Sequence, residues 1–236
     1  MKDIIYSCHQ PNFLPWIGYF HKIINSDIFI LLDNVQYTKN SVANRNKLKG
    51  LQGEQFITVP ISKRISNSSF FSYNEAVFAQ KKWYEKPIKT ITQNYSKSKH
   101  FEKYKNVIFD ILMMDNFCEM NISFIKFIIK EYKIETEILL MSQIDKMDCN
   151  KNDLLISIGK YLNANIYLSG NGARSYNDEK KFNENAIKII YQEFEHPIYN
   201  QLYSPFTPFL SILDLLFNEG EKGKYFLLEQ NFKAEL

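Results

Sequence analysis

Residues 4–36, IIYSCHQPNFLPWIGYFHKIINSDIFILLDNVQ, decide the fold. The apolar run Ile4 to Ser7 enters a proline-containing loop, His9 to Pro15, as a first strand would. Pro15 suits the first turn of a helix, and Trp16, Ile17, Phe20, Ile23 and Ile24 recur at helical spacing, so Pro15 to Asn25 is predicted to be a helix with one buried face. Asp27 restarts the chain. The run IFILLD is apolar nearly throughout, the pattern of a strand covered on both faces, and it delivers Asp33, Asn34 and Gln36 to its far end. This is a strand, helix, strand opening.

Moving outward, residues 37–53 are polar and asparagine-rich. The segment NRNKLKG (44–50), the turn Leu51-Gln-Gly53 and the run QFITVPI (55–61) predict a hairpin. Serine and asparagine dominate 62–74, a loop or flap, and 79–133 reads as a helical insertion with breaks near 95–99 and 115–118. A strand at 137–141, a helix at 153–162, and strands at 165–169 and 186–193 resume the alternation. Alternating elements predict an α/β, Rossmann-like fold with a mostly parallel sheet, a β-hairpin and the helical insertion, in one domain over 1–236. The insertion is the natural small subdomain.

Composition bounds the function. The chain has 236 residues, 45% hydrophobic, and its 29 Lys and Arg against 26 Asp and Glu leave a formal charge of +3. That is long enough for a full core and too weakly basic to announce a polynucleotide binder. Three cysteines, Cys8, Cys118 and Cys149, make neither an even disulfide set nor a CxxC pair, which points to a reducing compartment and the cytoplasm. No stretch approaches 18 uninterrupted apolar residues, so no membrane partner is expected. The four histidines show no metal-ligand spacing, so no metal is expected. The lysine-rich stretch KTITQNYSKSKHFEKYKN (89–106), with Tyr95, Phe101 and Tyr104 interleaved, reads as the charged outer face of the insertion, with contact to RNA as the alternative.

Four constellations can carry chemistry. CHQPNFLPW (8–16) leaves the first strand where ligands of open α/β sheets bind, and His9 there can act as acid or base near neutral pH, or else tie down the turn together with Gln10. Cys8 reads as buried and inert, because adjacent strand residues face opposite ways. In DNVQYTKNSVANRN (33–46), Asp33, Gln36, Lys39, Asn44, Arg45 and Asn46 suit a polar ligand with phosphates or hydroxyls; the alternative is a solvated hairpin. In IYLSGNGARSY (166–176), Ser169, Gly170 and Gly172 allow backbone N–H groups to approach an anion with Arg174 behind, or form a plain strand-to-helix turn. PFTPFLSILDLLFNEG (205–220) reads as a buried helix started by Pro208, with Asp214 requiring a partner, Arg45, Arg174 or His9, for either a structural ion pair or catalysis. Glu193 and Glu195 read as solvated.

The ordered set HQPNFLPWIGYFHKI, SDIFILLDNVQY, NRNKLKG, TVPI, YLSGNGARSY and PFLSILDLLFNEG resembles the WbqC-like family from Ile4 to about Gly220, with little of the likeness in 84–150. The resemblance implies a role in bacterial O-antigen, lipopolysaccharide or capsule biosynthesis, with glycyl or related aminoacyl transfer to an amino sugar. In that setting His9 or Asp214 would deprotonate the sugar amine. Gln10, Asn12, Asp33, Gln36, Lys39, Asn44, Arg45, Ser169, Gly170, Gly172, Arg174 and Tyr176 would hold a nucleotide-linked amino sugar. No permanently bound cofactor is implied. The acyl donor is left open among an aminoacyl-tRNA, a thioester or other acyl carrier, and an ATP-derived adenylate.

A looser resemblance is to the nucleotidylyl-transferase and pantothenate-synthetase kind of Rossmann-like fold, with YLSG at the late serine-containing loop. The H-x-G-H signature of that group is absent, since Gln-Pro-Asn follows His9. An ATP-dependent amide ligase is therefore one alternative. A non-catalytic nucleotide-sugar-binding accessory protein is the other.

Overall fold

A computed structural model of the chain describes residues 3–38, 41–63, 71–144, 147 and 151–229. Lys39, Cys149 and most of the expected flap, 64–70, lie outside them. The opening is as the pattern predicts: β1 (Ile5–His9), α1 (Ile17–Ile24) and β2 (Ile28–Leu31). The helix starts two residues later than Pro15 because Trp16 is extended and forms a bridge to Ser211. A hairpin follows, β3 (Arg45–Gly50) and β4 (Gly53–Thr58), in register from Arg45 opposite Thr58 to Gly50 opposite Gly53. Its Leu51-Gln52 turn closes on Gly53 at φ +108, a conformation that suits glycine.

β5 (Ile61–Lys63) then pairs with β6 (Ala76–Phe78), a second short hairpin where the sequence suggests only a loop. The insertion is α2 (Glu85–Tyr95), α3 (Phe101–Leu112) and α4 (Phe117–Glu131), broken where expected. In the lysine-rich stretch Tyr95, Phe101 and Tyr104 are buried, while Lys89, Lys97, Lys99 and Lys103 are exposed. The lysines therefore form the outer face of these helices. The remainder is β7 (Glu137–Leu140), α5 (Lys151–Tyr161), β8 (Ile166–Ser169), α6 (Glu179–Glu184), β9 (Lys188–Tyr191), α7 (Ile212–Glu219) and α8 (Gly223–Leu228). None of the helices among the described residues is long and apolar enough to cross a membrane.

The central sheet has the order β7-β2-β1-β8-β9, and every pairing in it is parallel. This is a Rossmann-like α/β sheet. Parallel strands need both faces covered, and the sequence supplies two covers. Phe29 and Leu31 face Ile17, Phe20 and Ile23 of α1, in a cluster that continues through Ile57 of the hairpin, Ile91, Ile108 and Phe124 of α2–α4, and Leu213 of α7. Tyr6, Cys8, Ile30 and Tyr167 face Ile156 and Ile158 of α5 and Phe182 of α6. The insertion thus shares one core with α1 and α7 and is not a separate subdomain.

Asp214 is part of that core. The helix expected from Pro208 begins at Ile212, with Ser211 as its cap through a bond from the Leu213 N–H (3.3 Å), and Asp214 lies in its first turn. Its carboxylate is fully buried and accepts from the Tyr95 hydroxyl (2.9 Å) and the Tyr199 hydroxyl (2.8 Å). Tyr95 in turn accepts the Lys49 backbone N–H (2.9 Å). The partners are two phenols rather than Arg45, Arg174 or His9. The carboxylate ties α7 to α2, to the hairpin and to the irregular segment after β9 at Tyr199, and burial pushes its pKa up to about 6 against the pull of the tyrosine hydrogen bonds.

Asp214→Ala is expected to cost about 2–4 kcal/mol, since it strands two buried hydroxyls, and Asp214→Asn about 1 kcal/mol or less. The folded carboxyl titrates above the unfolded one, so its contribution to stability is present at pH 4 and declines until about pH 6. Urea midpoints of wild type relative to Asp214→Asn should therefore fall between those pH values and stay level above them.

Candidate functional site

The sheet order reverses at β1. From β1 the chain crosses through α1 to β2 on one side, and later returns through α5 to β8 on the other. At such a switch point the loops after the two strands part and leave a crevice. A cleft of about 680 Å³ occupies it, lined by Cys8 and His9 of β1, Ser169, Gly170 and Gly172 after β8, and Gln192 after β9. Trp16, Gly18, Tyr19 and Lys22 close it from the side of α1.

His9 is the last residue of β1, and its Nδ1 lies 3.0 Å from the Gln10 carbonyl. A carbonyl can only accept, so the proton sits on Nδ1 and Nε2 carries the lone pair. Burial lowers the imidazole pKa to about 4, with the nearby Lys22 ammonium adding to the effect, so the ring is neutral at pH 7. Tyr19 supports it edge-on at 5.2 Å and sends its own hydroxyl to the same carbonyl (3.1 Å). Cys8 is buried and its thiol is pushed up to about 12, chiefly by desolvation, so it is a protonated thiol and not a nucleophile at neutral pH. Inertness is what its position on the strand predicts.

Lys22 was not singled out by the helical pattern. It is 5% exposed, donates from Nζ to the Cys8 carbonyl at 3.0 Å, and lies 5.9 Å from the centre of the Tyr167 ring. Desolvation lowers its pKa to about 8. The pattern leaves Lys22 on the solvent side of α1, yet residues 17–23 are all buried, because the return of β9 covers the other side. The Gln192 side chain makes that seam, donating to the Gly18 carbonyl at 2.8 Å.

Of the other predicted residues, Gln10, Ser169, Gly170, Gly172 and Tyr176 line the cleft with His9. Ser169 accepts from the Asn177 side chain at 2.9 Å. A Cβ at Gly170 or Gly172 would meet nothing within 4 Å, so neither glycine relieves crowding. Gln36 lies in an adjoining cavity of about 540 Å³, where its carbonyl accepts from the Gln10 side chain (2.9 Å); that cavity shares Gln10, Leu32 and Leu155 with the cleft. Arg45 is exposed on the hairpin, 5.1 Å over the Phe56 ring, and lines a third cavity that meets the cleft at Trp16 and Phe209.

The rest stand apart from the cleft lining. Asp33 is buried and accepts from the Ser142 N–H (2.8 Å) and hydroxyl (2.5 Å), tying β2 to the end of β7. Asn44 is buried and donates to the Val59 carbonyl (2.9 Å), and Asn12 is buried in the loop after β1. Arg174 is exposed and stacks 4.0 Å over Tyr191. Asp214 belongs to the core described above. Glu193 and Glu195 are exposed. No group of three or more His, Cys, Asp or Glu with metal-holding geometry occurs among the described residues.

Gly18 gives the cleft its wall. A Cβ there would fall 2.2 Å from the Trp16 indole, which lies between Phe194 (5.3 Å) and Phe209 (5.7 Å). Glycine to alanine in a helix ordinarily stabilises by about 0.5–1 kcal/mol. Gly18→Ala is instead expected to destabilise by about 1–3 kcal/mol as the indole is displaced. In a Trp83→Phe background, urea denaturation and a red shift of the Trp16 emission measure both effects.

No solved structure matches the chain. The Mycobacterium tuberculosis protein Rv1507c, itself uncharacterized, is 32% identical over 222 residues, covering 92% of this chain and 95% of the relative. A DNA-directed RNA polymerase subunit beta' of Oedogonium cardiacum is 26% identical over 208 residues, but the match covers 84% of this chain and only 10% of that protein. The model of the WbqC-like protein family matches residues 10–225, a span that begins just after His9 and takes in the rest of the cleft lining, the hairpin, the three insertion helices and α7. The chain belongs to the WbqC-like protein family.

Proposed function

We propose that this protein is a cytoplasmic transferase that acylates, and in one form glycylates, the amine of a nucleotide-linked amino sugar destined for surface polysaccharide. The observation that carries the reading is the cleft at the β1/β8 switch point, with a neutral, tautomer-fixed imidazole in its wall. Its volume, about 680 Å³, is in the range of small-molecule sites. Membership of the WbqC-like family supports the choice of substrate.

In the proposed step the sugar amine, as the free base, attacks the acyl carbonyl of the donor. A carbon–nitrogen bond forms, the bond from the carbonyl to the donor's oxygen or sulfur breaks, and the proton lost by nitrogen passes through His9 Nε2 to the leaving atom. An imidazole held at a pKa of about 4 is a weak base in the free protein, but once protonated it gives its proton up readily to an alkoxide or thiolate. Gln10, Ser169 and Tyr176, all in the cleft lining, would hold the sugar, and Gln36 and Arg45 border the two adjoining cavities. Asp214 has no part in this step.

The test is mass spectrometry of UDP-, dTDP- and GDP-linked amino sugars incubated with the protein and glycyl-tRNA, an acyl thioester, or ATP and a free acid. The expected result is a mass gain equal to the acyl group. His9→Ala should lower that gain by about 10²–10⁴-fold, while thermal stabilisation by the nucleotide sugar persists, about 2.7 kcal/mol at 100 times its Kd. A product formed only with ATP and a free acid would make the protein an amide ligase. Stabilisation with no mass change for any donor would make it a binding protein.

A further inference from the structure

Lys22 is buried at the cleft with an incomplete set of partners. Its ammonium has three N–H donors, and the Cys8 carbonyl at 3.0 Å takes one. Among the described residues it forms no ion pair, and no Asp or Glu occurs in the cleft lining. Buried charges are normally matched by a counter-ion, since desolvating an ammonium alone is costly. Asp214, a buried carboxylate outside the cleft lining, has its partners in two phenols. Lys22 has no equivalent on the protein side.

We propose that Lys22 is the phosphate-binding residue of the cleft, its missing counter-ion being the diphosphate of a nucleotide-linked sugar. This deepens the function proposed above and rests on it for the rest of the ligand. A compact ammonium binds a phosphoryl oxygen as a point charge, approached from any side and without a planar arginine fork. Neither Arg45 nor Arg174 is in the cleft lining. The crevice where an open parallel sheet reverses its order is also where nucleotide phosphates are bound in folds of this architecture.

The groups around Lys22 make the binding pH-dependent with a known sign. Cys8 and His9 face it from β1, Tyr19 from α1, Tyr167 from β8, and the Tyr176 phenol from the turn beyond, while Leu155, Gln192 and Phe194 bring no charge. The thiol is pushed up to about 12, His9 is already neutral, and burial raises the Tyr19 and Tyr167 phenols. Lys22, near 8, is therefore the cation that is lost as pH rises from 7 to 9.5.

The experiment labels the full chain with lysine carrying ¹³C at Cε and follows Lys22, assigned by its absence in Lys22→Met. Sulfate is one probe. UDP-glucose, dTDP-glucose and GDP-mannose are the others, since they have no sugar amine to react and their diphosphates keep both negative charges throughout this pH range. Lys22 is expected to titrate near pH 8 in the free protein and about one unit or more higher when bound. The nucleotide-sugar Kd should weaken about tenfold per pH unit above the free pKa. Lys22→Met should bind at least tenfold more weakly with no pH dependence.

Should Lys22→Met fail to fold, Lys22→Arg supplies the assignment, and the wild-type titration with and without probe decides alone. Nucleotide-sugar binding that leaves the Lys22 signal unmoved, a shift by acetate but not by sulfate, or no shift with any probe overturns the proposal. These results read binding, so they are separable from acyl transfer. Lys22-dependent binding without transfer would leave this inference standing and remove the proposed reaction.

Discussion

The structure depends on β1 being paired along both edges by parallel strands. β2 on one side and β8 on the other accept the same short strand, and the connections to them leave in opposite directions. Two consequences follow from that constraint. Both faces of β1 must be covered, which sets α1 against one and α5 with α6 against the other. The loops at its C-terminal end must also diverge, which opens the cleft between His9 and Ser169. The fold makes the site by the same act that makes the core.

Burial of charge divides the polar residues into two kinds. Asp214 sits among Leu and Phe but receives two phenolic hydroxyls, one of which also accepts a backbone N–H from the hairpin, so its carboxylate is a tertiary tie. Lys22 closes the cleft from the side of α1 and has, among the described residues, a single carbonyl as the acceptor of its ammonium. A buried group whose hydrogen bonds close within the protein holds the protein together, and one whose bonds do not close is poised for a ligand. Asp33 falls on the first side of that line.

Much of the fold was legible because its periods are local. The apolar run of β2, the helical spacing of α1, the Leu51-Gln-Gly53 turn and the breaks between α2, α3 and α4 are each written in a dozen residues or fewer. What was misjudged depends on partners distant in the chain. The start of α7 moved from Pro208 to Ile212 because Ser211 pairs with Trp16 and caps the helix, and β6 formed because β5 was there to pair with it. The helical insertion looked separable because its amphipathic helices do not name what their apolar faces will meet.

The sequence by itself determined the alternation of elements, the hairpin, the position of His9 at the end of the first strand, and membership of the family. A loop placed after a buried strand reaches the ligand end of a parallel sheet whatever the rest of the chain does. The tertiary structure alone decided which polar residues share that end. It sent Asp33 and Asp214 into closed hydrogen bonds, turned the Asn44 amide to the Val59 carbonyl, and left Arg174 stacked on Tyr191 outside the cleft. It also brought Trp16, Gly18, Tyr19 and Lys22 into the site by covering the outer side of α1 with the return of β9. Helical spacing shows which face of α1 is apolar; only the packing of residues more than 150 positions away shows that its polar face is buried too.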